Sequence, residues 1–159
     1  MTISSATPRL RPSSLRSLIA GQDPDVQQAP DTERSAEFRL GPEHSAADAV
    51  QRAHGFAAAV MPALLATSPE ATRAGQSALA VLTELIDITA RHRASVDLAG
   101  RISCDGEHVL LTVGEMDRPL PAPEEEPGLF LVHRLADDVG QHRGDEAGHA
   151  TWASVPLRG

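Results

Sequence analysis

Lysine is absent from the chain: its 14 basic residues other than histidine are all arginine. No ammonium group is therefore available to neutralise a phosphate as a compact point charge. Cys104 is the single cysteine, which excludes a disulfide framework or a multi-cysteine metal site within one chain. Aromatic residues make up only 3% of the sequence, so Leu, Val and Ala must fill the core. No apolar run reaches the roughly 20 residues that span a bilayer, and the N-terminus lacks the apolar centre of a signal peptide. The expectation is a cytoplasmic protein with no membrane partner. Acidic residues outnumber arginines, giving a formal net charge of −8. That balance argues against direct nucleic-acid contact and for protein or small-molecule partners.

What is present is a chain of 159 residues, 41% hydrophobic, enough for one globular domain with a sizeable core. Residues 1–35 form a separate compositional zone, rich in Ser, Pro, Gln, Asp and Thr. Arg9, Arg11 and Arg16 lead into the short apolar patch Leu15, Leu18 and Ile19, and an acidic stretch follows from Gln22 to Glu33. So little apolar surface does not offset ordering entropy, which predicts a disordered leader. The competing reading is a short amphipathic helix that docks on a partner. The folded domain is expected over 36–159, with no internal repeat.

Ala36 to Leu40 alternates apolar and charged residues, as a half-buried strand does, and Gly41-Pro42 ends it. Ser45 is placed to cap a helix with Asp48 three residues on. Val50, Ala53, Ala57, Val60 and Leu64 then mark one helix face. Ser68 and Pro69 restart the chain as N-cap and first helical residue, leading a second helix that buries Ala74, Ala78, Val81, Leu85 and Ile88. Val96 to Ser103 and His108 to Val113 read as strands joined through the Asp105-Gly106 turn. Glu115 to Pro127, with Pro119, Pro121, Pro123 and Pro127, reads as a loop. Gly128 to Val139 reads as a helix with Leu129, Val132, Leu135 and Ala136 inward, Gly140 to Gly148 as a turn region, and Thr151 to Val155 as a closing strand. This order predicts an α+β fold, a two-layer α/β sandwich: a mixed sheet covered on one face by helices near 45–66, 69–92 and 128–139.

The helical stretch Thr83-Glu84-Leu85-Ile86-Asp87-Ile88-Thr89-Ala90-Arg91-His92 puts Glu84 and Ile88 on one helix face. This decamer resembles the segment Ser-Glu-Leu-Val-Thr-Asn-Ala-Val-Arg-His of the bacterial anti-sigma-factor serine kinases, which belong to the histidine-kinase/gyrase-type (GHKL, HATPase) ATPase superfamily. The resemblance runs over about residues 36–157 and implies the two-layer sandwich already read from the pattern. It implies Glu84 as general base, and at position 88 an Asn that holds the Mg²⁺ bridging the ATP phosphates; this chain has Ile88 there. In the family a second motif carries an Asp that reads adenine. Aligned on Leu120-Pro121, its place falls at Glu115, with Asp117 two residues late but on the same side of an extended segment. A third, Gly-x-Gly-Leu-x-Leu-Val, is met by Glu126-Pro127-Gly128-Leu129-Phe130-Leu131-Val132. Gly128 and Leu129 are kept, the first glycine is Glu126, and Pro127 removes an amide donor. The closing Gly-x-x-Val-Trp-Ala-x-Leu-Pro is matched by Gly148 to Pro156, with Thr151 at the pocket.

The resemblance thus keeps the structural markers and alters those that touch nucleotide, so ATP and magnesium binding is expected to be weakened or lost. Glu124, Glu125 and Glu126 add negative charge where phosphates would lie. Asp87 is a poor substitute for the missing Asn, being about 100° away around the helix. The expectation is a pseudoenzyme acting in transcription regulation by binding a sigma factor or an anti-anti-sigma protein, with a vestigial Glu84 and no resident cofactor or metal. The alternatives are an active ATP-dependent serine kinase using Asp87 and Glu115, and a dimerising interaction module unrelated to sigma factors. His133, His142 and His149 match no metal-ligand spacing. Arg91-His92 suits a helix C-terminus regardless of ligand. Cys104 reads as an inert strand-end residue. Glu124 to Glu126 is either a solvated loop or a partner contact.

Overall fold

A computed structural model describes residues 34–66, 70–144 and 148–158. The leader expected over 1–35 therefore lies outside the described residues up to position 33, as do the Ser68 cap and Pro69. Strand β1 (Arg34–Leu40) sends Ala36, Phe38 and Leu40 to one side, each at most 2% exposed. It includes Arg34 and Ser35, so the sheet begins two residues before the expected boundary.

Helix α1 (Ala46–Leu64) starts where Ser45 Oγ accepts a hydrogen bond from Asp48 N at 3.1 Å, satisfying one orphan amide. Ala53, Ala57 and Leu64 are buried as the periodicity predicts, together with Ala49, Phe56 and Met61. Helix α2 (Ala71–Arg91) buries Ala74, Ala78, Val81, Leu85 and Ile88, the whole of the stripe read from sequence. Between α1 and α2 the contact is close because Gly75 has no side chain; a Cβ there would lie 3.3 Å from Met61 Cγ.

Strands β2 (Leu98–Cys104) and β3 (His108–Met116) form the expected hairpin. Asp105 Oδ1 accepts from the amides of Glu107 and His108, both at 2.8 Å, and Gly106 takes the left-handed conformation that the turn requires, with φ 94°. Helix α3 (Gly128–Leu135) is followed by β4 (Asp138–Arg143) and β5 (His149–Pro156). The sheet order is β1-β2-β3-β5-β4.

Three sequence expectations are corrected here. The described sheet is not mixed; every pairing in it is antiparallel. Helices α1 and α2 carry the chain away and back, so β2 re-enters at the end where β1 leaves and runs opposite to it. Helix α3 stops at Leu135, short of Val139, and β4 takes the last two residues of the expected helix and the first four of the turn expected over 140–148. Ala136 is already extended, and Asp137 N donates to Ser154 O at 2.8 Å, so pairing with β5 outcompetes another helical turn. The strand expected from Val96 instead starts at Leu98.

Helices and inward strand residues share one apolar core that includes Phe38, Phe56, Leu85, Ile88, Leu111 and Leu129. Gly100, opposite Phe38 in the β1–β2 register, makes room for its ring: a Cβ on Gly100 would overlap Phe38.

Candidate functional site at the junction of α2 and α3

One heptad of α2 presents Glu84, Asp87, Ile88 and Arg91 towards the N-terminal end of α3. Ile88 and Leu129 are buried in the core at 2% and 1% exposure, leaving no polar group at position 88 to hold an ion. The Glu84 carboxylate packs directly on Gly128, where a Cβ would overlap its Oε1. Gly128 is therefore the residue that permits α3 to approach α2 at this point.

Arg91 organises the remaining charge. Its Nη1 and Nη2 donate to Glu126 Oε2 and Oε1 at 3.0 and 2.7 Å, a bidentate pair. Its Nε also donates to Asp87 Oδ2 at 3.1 Å. The hydrogen bond from Arg91 holds the Glu126 carboxyl below the usual carboxylate range. The same bond raises the Arg91 guanidinium above its ordinary value, with Asp87 adding to the effect. Glu126 is thus paired with α2 through Arg91. Asp87 is likewise engaged and is not free to take the place of the missing Asn.

Burial pushes the Glu84 carboxyl up, with the nearby Asp87 charge adding to it. A folded-state pKa raised above the unfolded one means that the ionised form costs stability. That cost is full above the folded pKa and vanishes below the unfolded value. Glu84→Gln is therefore expected to raise the melting temperature at neutral pH, with the gain shrinking to nothing as pH falls through the carboxylate range. A gain that persists at acid pH would show that burial of the charge is not its origin.

The other expected site residues lie elsewhere. Strand alternation from Val113 would point Glu115 inward, but the register shifts between Val113 and Met116. Met116, fully buried, takes the inward place. Glu115 turns to the helix-free face, packs against Gly144 and accepts from Gly148 N at 3.2 Å. It lines a cavity of about 570 Å³ on that face, between the β1–β2 end and the β4–β5 turn. Asp117 is exposed and paired with Arg118 at 2.8 Å, while its amide donates to His92 O at 2.8 Å. Thr151 is fully buried, and its Oγ1 accepts from Gln141 Nε2 at 3.0 Å.

Gln141 is a residue that the sequence reading missed. Its Oε1 accepts from Leu120 N at 2.8 Å, fixing the loop between β3 and α3 to β4. With Asp117 bound to His92 and Glu126 to Arg91, that loop is held at its start, middle and end. A second cavity of about 390 Å³ is apolar and lies between α1 and α2, lined by Met61, Pro62, Leu65 and Gly75. Neither cavity takes in Glu84, Asp87, Ile88 or Gly128. Among the described residues no group of three His, Cys, Asp or Glu side chains is arranged to hold a metal ion. Cys104 is buried, and burial raises its thiol pKa.

No protein-family model matches the chain, and no curated protein matches it in sequence.

Proposed function

We propose that the protein is a regulatory protein-binding module of the anti-sigma-factor type, built on the histidine-kinase-like ATPase fold, in which ATP binding and kinase activity are lost. The bidentate pair between Arg91 and Glu126 carries this reading. It draws the segment before α3 onto α2 with the chain's own charges, at the place where the resemblance implies Mg²⁺ and phosphate. Ile88 supplies apolar volume in place of a metal ligand. Against an active kinase stand Asp87, engaged by Arg91, and Glu115, turned to the opposite face of the sheet.

The loop from Met116 to Pro127 is the element whose shape such a module would offer to a sigma factor or an anti-anti-sigma protein. Its three anchors and its prolines order it without nucleotide, because each suitably placed Pro lowers the entropy cost of ordering by about 0.4–1 kcal/mol. Partner affinity is therefore expected to be the same with ATP, with ADP and without either. Changing Pro121 and Pro123 together to Gly should weaken it by about fivefold or more, the equivalent of about 1–2 kcal/mol. Surface plasmon resonance against purified sigma and anti-anti-sigma proteins tests both points. A tenfold effect of nucleotide, or a double Gly variant that binds as well as wild type, would sink the proposal.

A further inference from the structure

The pairings set one row of outward residues across the helix-free face: Ser35, Ser103, Leu110, Ser154 and Asp138. Small side chains in such a row should be open to solvent, since the helices cover the other face. Ser154 is partly exposed, as expected. Ser35 and Ser103, however, are 3% and 2% exposed. Ser35 should be the most open of the three, because among the described residues no strand lies beyond β1. Yet neither it nor Glu37 on the same strand is free of a partner. Arg34 does not supply the cover; it reaches to the helix side, where its Nη1 donates to Ala63 O at 3.3 Å.

The cover therefore comes from chain outside the described residues, and the flanking elements decide which part. Residues 67–69 connect α1 and α2 on the helix side. Residues 145–147 connect β4 and β5 at the far end of the strands, where Gly144 borders the 570 Å³ cavity. Gly159 follows Leu157, whose carbonyl accepts from Arg73 of α2 at 3.1 Å. Residues 1–33 enter β1 immediately before Ser35.

We infer that the segment around Leu15, Leu18 and Ile19 folds back onto the helix-free face of its own sheet and lies over the β1–β2 end of this row. The spacing of these three residues puts them on one face of a helical turn. Leu110, the apolar member of the row, stands beside Ser103 and is 39% exposed, so the cover ends on its β2 side and has an apolar contact there. Charge also matches. The same end of the sheet is bordered by four exposed carboxylates, Asp105 and Glu107 at the β2–β3 turn and Asp137 and Asp138 at the start of β4. Arg9, Arg11 and Arg16 accompany the apolar patch. The 14 residues from Ala20 to Glu33 reach about 45 Å when extended, against a width of about 24 Å for five strands. The sheet thus offers the leader the apolar surface that it lacks alone to offset ordering entropy. The inference does not depend on the function proposed above, and either stands if the other fails.

In the full chain carrying Cys104→Ala, the cover is read from the rate at which Ser103→Cys reacts with a water-soluble thiol reagent. That variant should react at least tenfold more slowly than Ser154→Cys in the same background. Changing Leu15, Leu18 and Ile19 together to Ser should speed Ser103→Cys at least fivefold and leave Ser154→Cys unchanged. A rate that these leader changes do not move would assign the cover to side chains of the sheet itself and overturn the inference. A second measurement needs no buried thiol. Leu18→Cys is combined in turn with Leu110→Cys and with Val96→Cys, a position 68% exposed at the other end of the sheet. The Leu110 pair should close its disulfide at least fivefold faster, with an advantage that shrinks as salt rises. Equal rates for the two pairs would mean that the leader has no preferred seat and would overturn the inference as well.

Discussion

Titration with Mg·ATP is expected to give no saturable signal at millimolar nucleotide. Three features of the α2–α3 junction act together. Ile88 offers no oxygen to a hard cation that demands near-ideal octahedral coordination. Pro127 has no amide to donate. Arg91, the cation best placed to meet a phosphate, already binds two carboxylates. Ile88→Asn combined with Glu126→Gly and Pro127→Arg restores an ion ligand, relieves Arg91 of its bidentate partner while leaving its bond to Asp87, and reopens the approach to the helix N-terminus. That triple variant should bind with a Kd of about 1 mM or tighter, close to 4 kcal/mol of recovered free energy. Recovery should be confined to the phosphate end. Met116 fills the inward place that Glu115 would have taken, so nothing is restored that reads a base. Inorganic tripolyphosphate with Mg²⁺ should accordingly bind the triple variant about as well as ATP. Micromolar ATP binding by wild-type protein, or strong preference of the variant for adenine, would show that the closure at Arg91 has been misjudged.

The second large effect lies in the core. The Phe38 ring is 2% exposed, fills the space above Gly100, and meets the Phe56 ring at 5.4 Å with the planes tilted by 53°. Phe38→Ala should cost about 3–5 kcal/mol through lost burial and the cavity left behind. With a domain of this size that lowers the melting temperature by about 10 °C or more. Gly100→Ala alone should cost about 1–3 kcal/mol, because the new methyl group overlaps the ring. In the Phe38→Ala background the same methyl enters vacated space, so its effect should become neutral or stabilising. The two changes would then be coupled by about 1–3 kcal/mol in a double-mutant cycle. Simple additivity would mean that ring and glycine do not share that space.

What could be read from the sequence follows the range of the interactions involved. The burial stripes of α1 and α2, the Ser45 cap and the Asp105-Gly106 hairpin are set within a few residues, and each is legible as pattern. β4 was not legible because its inward positions are Val139 and Gln141, so the apolar alternation that marks a strand is broken by a glutamine whose partners come from β5 and the loop. The face that Glu115 takes is not legible, because a bulge reverses alternation without any signature in the residue types. Arg91 and Glu126 are 35 residues apart, and each separately has an ordinary local explanation, as a helix-end cation and as a loop acid. Their pairing is a property of the folded chain alone.

Gln141 also sets how the molecule comes apart. Strand β4 is an edge held on one side by β5, and its glutamine carries the amide of Leu120 in the middle of the loop. If β4 peels from β5, that amide loses its acceptor and the loop loses its central anchor in the same event. Loop and edge strand therefore form one cooperative opening unit, although they are separated in sequence by the whole of α3. Amide hydrogens at Leu120 and along β4 should exchange with a common free energy, below that of β2 and β3 at the centre of the sheet.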